Sequence, residues 1–264
     1  MLETASEVRE AVRSGRFRQP TAGVAGGYVQ TNVVILPKDL AFEFLLFCQR
    51  NPKPCPVIEV LEPGQTEARL TAPGSDIRTD APRYRVYESG QMSAEHDNLA
   101  ELWRDDLVTF LLGCSFSFEQ ALIDAGIALP YIQCAPELRR NVPMFNTNIE
   151  TVSAGPFAGP LVVSQRWIPS AQVVRAVQVT SRFPGVHGAP IHIGDGSVIG
   201  IPDPLQPDYG DPWPPSSGDL VPLYWACGVT PQAVALASGT PFMITHAPGY
   251  MFLTDLRDQD LSVF

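Results

Sequence analysis

Apolar and polar positions follow two different periods along this chain. In residues 4–15, Val8 and Val12 share one helical face, Thr4 and Glu7 stand at capping-box spacing, and Gly15 sits where a C′ residue belongs. A glycine-rich turn, Thr21 to Gly27, leads into Tyr28–Leu36, whose Val and Ile content predicts a strand. Pro37 and Asp39 mark the start of a helix over Leu40–Gln49, apolar nearly all round and so expected to be buried, and Val57–Leu61 predicts a further strand. Strand, helix and strand within about 35 residues is the rhythm of a βαβ unit and of a parallel sheet.

Further on, Glu62–Pro82 is rich in Pro, Gly and Thr and predicts a loop or linker. Tyr84–Tyr87 predicts a strand, and Asn98 is placed to cap a helix through Leu102 and Trp103. Leu107–Leu112 is a compact apolar run whose type periodicity does not settle. Ser117 and Gln120 offer a second capping box before Ala121–Ala125, which Gly126 closes. From about Tyr131 the rhythm changes: Val142–Val152 and Leu161–Ile168 predict two strands around the turn 155–160, and a helix follows over Ser170–Ser181. Short strands and loops fill the remainder, with Pro231 opening a helix near Gln232–Ala237. The expected class is α/β: a mixed or parallel sheet flanked by helices, formed by 1–130 and 187–264, with a smaller inserted α+β subdomain over 131–186.

Composition narrows the function classes. Of the 264 residues, 18 are Lys or Arg and 28 Asp or Glu, a net charge of -10 that repels phosphate backbones and argues against a nucleic-acid partner. No apolar stretch approaches the ~20 residues needed to cross a bilayer, and charges at Glu3, Glu7, Arg9, Glu10 and Arg13 break any signal-peptide core. Five cysteines without a close CxxC pair make a disulfide framework or structural zinc site unexpected, and the expected compartment is the cytoplasm. The 26 prolines lie beside short apolar runs, so they stiffen the loops on which binding sites are carried.

No GxSxG, HExxH, P-loop or GxGxxG signature occurs. Candidate chemistry sits instead in polar clusters at the ends of apolar runs. His187, His192 and Asp195, on a Gly/Pro-braced loop, are candidate proton carriers, or else one histidine bonds backbone and the aspartate makes a turn with Gly196. Cys114 and Ser115 precede a helix start that suits an anion; the plainer reading of Cys114 is a buried apolar residue. The pair Arg139–Arg140, with Asn146 and Asn148 at i,i+2 of a strand and Arg182 beyond, is a candidate carboxylate clamp or a solvated surface group. Cys227, a nucleophile or acid if it faces a cleft, and His246 are further candidates. Asn32 and Lys53 occupy positions where α/β sheets hold ligands.

Several strings carry a resemblance. Thr21-Ala22-Gly23 through Leu36-Pro37, Asn51-Pro52-Lys53-Pro54-Cys55-Pro56, Gly113-Cys114-Ser115-Phe116-Ser117-Phe118-Glu119, Ser181-Arg182-Phe183-Pro184, His187-Gly188-Ala189-Pro190 to Asp195, and Trp225-Ala226-Cys227-Gly228-Val229-Thr230-Pro231-Gln232 resemble the bacterial hydro-lyase family related to D-glutamate cyclase. The likeness covers nearly the whole chain; Tyr250 departs from it, standing where a histidine is expected. The resemblance implies loss of water from a small carboxylic or amino acid, as in closure of D-glutamate to 5-oxo-D-proline. It carries a reaction class better than a substrate. Such chemistry needs a base, oxyanion donors and an acid for the departing oxygen. Here the expected proton carriers are His187, His192 and Asp195, the expected oxyanion donors Asn32, Asn146 and Asn148, and the expected carboxylate holders Arg140, Arg182 and the turn 115–117. No organic cofactor and no metal are expected, the partner being a small anionic substrate, with homo-oligomerisation open. Two other readings stay beside it: a non-catalytic small-anion-binding protein or sensor, and a metal-dependent hydrolase using His187, His192 and His246.

Overall fold

The computed structural model describes residues 2–134, 140–215 and 218–263. Two sheets organise them. The first holds β1 (Tyr28–Pro37), β2 (Val57–Val60), β3 (Tyr84–Glu88), β4 (Gln91–His96), β5 (Leu107–Gly113), β10 (Phe242–His246) and β11 (Phe252–Arg257). Its order is β2-β5-β1-β10-β3-β4, with β11 also pairing β1. The second sheet runs β6 (Met144–Glu150), β7 (Pro160–Pro169), β9 (Leu220–Ala226) and β8 (His192–Ile193), so it takes strands from both sides of the boundary expected near residue 187.

The expected parallel pairing is not what forms. Every strand pair among the described residues is antiparallel. The β1–α2–β2 rhythm is nevertheless real, with α2 at Lys38–Arg50. β5 pairs antiparallel with both β1 and β2, so those two strands point the same way with β5 inserted between them. A strand from about 50 residues downstream takes the central place, which local rhythm does not reveal.

Apolar alternation along β1 divides the core. Val34 and Leu36 face α2, where Phe44 meets Phe110 and Phe157 edge-on at 4.9 and 5.2 Å. Val33 and Ile35 face the other way, with Ile244, Tyr84 and Leu111, and are covered by Leu61, Ala68, Ala72 and Ile77. The stretch expected as a linker is therefore the lid of this second core. α2 is not buried all round: Phe44, Phe47 and Cys48 face inward while Phe42 is 73% exposed.

Helix starts were shifted by tertiary hydrogen bonds. α1 (Ala5–Arg13) has the expected Thr4–Glu7 capping box. α3 begins at Phe116 and runs to Asp124, ahead of the expected box, because the Ser117 hydroxyl takes the Gln30 N–H of β1 at 3.1 Å instead of capping its own helix. α5 spans Thr230–Ala237, and the Thr230 hydroxyl accepts the Val162 N–H of β7 while donating to the Cys227 carbonyl. Asn98 caps only a turn, through the Ala100 N–H, and no helix follows it. α4 (Val173–Ser181) packs with α3 against the second sheet around Phe118, Ala176 and Trp225. No helix among the described residues is long and apolar enough to cross a membrane.

Candidate functional site

Five stretches far apart in sequence meet at the end of β5. The Gly113 N–H donates to the Pro56 carbonyl at 2.8 Å, and a Cβ on Gly113 would lie 2.1 Å from the Gly185 carbonyl oxygen. Only glycine lets the turn Pro184–Val186 lie so close. From the neighbouring strand, Asn32 Nδ2 donates to the Gly113 carbonyl at 2.8 Å, and a Cβ on Gly228 would sit 2.0 Å from that same nitrogen. His187 Nδ1 then contacts the Lys53 carbonyl at 2.7 Å, joining the turn after Val186 to the loop before β2.

His187 is held in the left-handed region, φ 84°, which a β-carbon-bearing residue adopts only where its surroundings impose it. It is 1% exposed, and burial pushes its pKa down to about 4, against the opposing pull of the Lys53 carbonyl. The ring is therefore neutral at neutral pH. A carbonyl accepts only, so Nδ1 carries the proton and donates it, and Nε2 keeps a lone pair. Among the described residues Nε2 has no hydrogen-bond partner. At the same junction, the Lys53 Nζ lies 3.9 Å from where a Gly188 Cβ would be. Partial burial lowers the Lys53 pKa, and among the described residues no carboxylate pairs with it.

The other residues of this junction have quieter parts. Burial pushes the Cys227 thiol up to about 11 and raises Cys114 further, so neither is a thiolate at neutral pH. Asn32 was expected to donate to an oxyanion, but its amide hydrogens are committed to the carbonyls of Gly113 and Leu112. It positions the end of β5. Ser115 was expected to cradle an anion; its hydroxyl instead accepts from Arg166 Nη2 at 3.0 Å.

Arg166 is the charge that sequence reasoning missed. Its guanidinium is fully buried and bonds Glu119, the Tyr131 hydroxyl, Ser164 at 2.9 Å and Ser115. These bonds to the guanidinium offset its desolvation, and all those that reach Glu119 converge on its Oε1. The signal was present: one lone cation inside the apolar run 161–168 and one lone anion at the close of 113–119, each a poor fit for its surroundings unless paired.

Several expected site residues lie elsewhere. His192 Nε2 contacts the Asp195 carbonyl at 2.7 Å, and the Asp195 carboxylate takes the N–H and hydroxyl of Ser197, both at 2.9 Å. This is the turn anticipated as the plainer alternative. It stands on the face of the second sheet that carries Tyr224 and Val163, opposite the face that packs on α3. His246 is buried against the Val33 backbone and, sharing a face with Ile244, lies on the other side of the first sheet from Asn32. The three histidines therefore share no centre, and among the described residues no group of three His, Cys, Asp or Glu side chains is placed to hold a metal. Arg140, Arg182 and Asn148 are exposed, Arg182 bonding only the Val263 carbonyl and Asn148 the Val198 carbonyl. Asn146 is half-buried and its backbone N–H is held by Asp208. No clamp forms from them, since exposed arginines keep their hydration. Arg139 lies outside the described residues.

The family model described as D-glutamate cyclase matches residues 108–255, the stretch that contains β5, Arg166, His187 and Cys227. Three bacterial proteins named "Putative hydro-lyase" align along nearly the whole chain. That of Geobacillus kaustophilus is 58% identical over 98% of this chain and 97% of its own. That of Stutzerimonas stutzeri is 54% identical over 97% and 95%, and that of Bacillus subtilis 54% identical over 97% and 98%.

Proposed function

Because the chain belongs to the D-glutamate cyclase family, and is by that membership a lyase of the hydro-lyase type, we propose that it closes D-glutamate to 5-oxo-D-proline with loss of water, using His187 and Lys53 as proton carriers. The observation that carries this reading is the neutral imidazole with a fixed Nδ1 and, among the described residues, an unpartnered Nε2, at the junction that also holds the Lys53 amine.

The reaction joins an ammonium and a carboxylate into an amide, so both protons that leave nitrogen end on the departing oxygen, which goes as water. His187 Nε2 takes the first proton from the substrate ammonium, which frees the lone pair that attacks, and returns it to the departing oxygen. The second proton leaves nitrogen once the carbon–nitrogen bond has formed and replaces the one that Lys53 gives to that oxygen, so both side chains end as they began. Lys53, as ammonium, holds the carboxylate under attack, and its lowered pKa makes it the readier acid for the leaving oxygen. Folding the substrate so that its nitrogen faces its own side-chain carboxyl supplies much of the rate. The Arg166–Glu119 pair, bonded through the Oε1 of Glu119, acts by holding Ser115 and the end of β5 in place.

Purified protein incubated with D-glutamate should give a product lighter by one water, detected by mass spectrometry, and His187→Gln should slow its formation by about 10³-fold. A well-folded protein that leaves D-glutamate, L-glutamate and their hydroxy analogues unchanged would refute the reading.

A further inference from the structure

The second sheet carries a cavity that the chemistry above does not use. It has a volume of about 240 Å³ and opens at the free edge of β7, beyond the point where β6 begins. Its walls are mostly aromatic and proline: Trp167, Trp213, Pro143, Pro214 and Leu129. The Trp167 indole N–H is tied to the Trp213 carbonyl at 2.8 Å, so these rings form a set wall. Apolar, concave surfaces with few polar groups are where small molecules bind.

One polar side chain breaks that wall. Gln165 stands two residues before Trp167 on the same face of β7 and lines the cavity. It is 1% exposed, and among the described residues neither its Oε1 nor its Nε2 has a hydrogen-bond partner. An amide offers two donors and an acceptor at fixed geometry, and burying all of them unpaired is rare in a folded protein. The neighbouring polar groups are already committed: Arg166 and Tyr131 to Glu119, and the Gln165 backbone N–H to the Pro143 carbonyl at 2.9 Å.

We infer that this cavity is a binding site, separate from the His187 junction, for a small cyclic amide whose N–H and C=O lie side by side and pair with the Gln165 side chain. A lactam of five ring atoms has that pattern, with the cis N–H and C=O needed for two parallel hydrogen bonds and an apolar ring edge for the tryptophans. The proposed product is such a lactam; the choice of 5-oxoproline as natural ligand rests on the proposed reaction, whereas the amide-pairing site does not. A product site at a distance from the reacting groups would make the enzyme respond to accumulated product.

The test uses the full-length protein and tryptophan fluorescence, because Trp167 and Trp213 wall the cavity. The probes are 5-oxo-D-proline, 2-pyrrolidinone and N-methyl-2-pyrrolidinone. The two lactams bearing N–H should give saturable changes, and the N-methyl compound should bind at least tenfold more weakly. Gln165→Leu should remove that tenfold preference while leaving turnover of D-glutamate within about twofold. Equal binding of the N-methyl probe, an unchanged preference in Gln165→Leu, or no saturable binding of either lactam would each overturn the proposal, water then being the partner of Gln165. The comparison of probes on the unaltered protein stands even where the variant fails to fold. Lactam binding without turnover would remove the proposed reaction and leave this site; turnover without lactam binding would do the reverse.

Discussion

His187 and His192 belong to one short Gly/Pro-rich stretch, yet they end in opposite surroundings. His187 is buried at the junction of five segments, forced to positive φ, with one nitrogen fixed and the other unpartnered. His192 sits on a short edge strand with its Nε2 against the carbonyl of its own turn. The difference comes from what packs on each. The turn before His187 leans on Gly113 of the first sheet, whereas the segment from His192 pairs with β9 on the far face of the second. A buried, incompletely bonded imidazole is poised for chemistry, while a locally satisfied one serves its turn.

The contrast is sharpest in turnover. His187→Gln should lower the turnover of D-glutamate by about 10³-fold, within the range for losing a proton carrier, with little change in the thermal midpoint. Equal losses in His187→Gln and His192→Gln would erase the distinction drawn between the two turns.

Next in size is the pair that braces the junction from below. Arg166→Met leaves Glu119 as an unpaired buried anion and should cost about 3–5 kcal/mol in denaturant unfolding. Arg166→Met with Glu119→Leu should recover much of that. A double variant as unstable as the single one would show that packing, rather than the orphaned charge, sets the loss.

Acid should distinguish buried from exposed histidines through stability. His187 and His246 both have folded pKa values pushed down to about 4 by burial, below the unfolded value of about 6.5. Between those values the unfolded chain binds more protons, so stability is fully present above pH about 6.5 and is lost as pH falls toward about 4. The slope is at most about 1.4 kcal/mol per pH unit for each ring. His187→Gln should remove one ring's share of that slope; a slope unchanged by the substitution would contradict the burial argument.

The smallest effects belong to the edge turn and the outlying arginine. His192→Gln and Arg182→Gln should leave turnover within about twofold and stability within about 0.5 kcal/mol. A large loss in turnover from either would move the candidate site toward the second sheet.

Much of the local structure was legible from side-chain pattern. The capping box at Thr4 and the hairpin around 155–160 rest on contacts between near neighbours in sequence, and the strand ahead of Pro37 on the β-branched content of its own residues. Errors arose where a distant partner claimed a group that local rules assigned nearby. Ser117 was read as a cap and instead holds Gln30; Asn98 was read as a helix start and serves a turn. Parallel pairing failed for the same reason, since β5, beginning at Leu107, enters between β1, which ends at Pro37, and β2, which ends at Val60. Within the candidate site, Asn32, Lys53, Cys114, Ser115, His187 and Cys227 were singled out by residue type and by the strings around them, but their grouping and their separate duties were not readable. The role of Arg166 is not readable locally, because its counter-ion Glu119 stands in a different element, α3, far from it in sequence.

By itself the amino-acid sequence determined the family, the acidic balance, the elements held by neighbour contacts and the residue types available for acid–base chemistry. Tertiary structure alone decided that His187 and His246 are buried while His192 is not, which cation is paired, and which glycines allow segments to touch. The reason is physical. Backbone propensity and capping act over a few residues, whereas burial, desolvation and hydrogen-bond satisfaction depend on whatever the rest of the chain brings alongside.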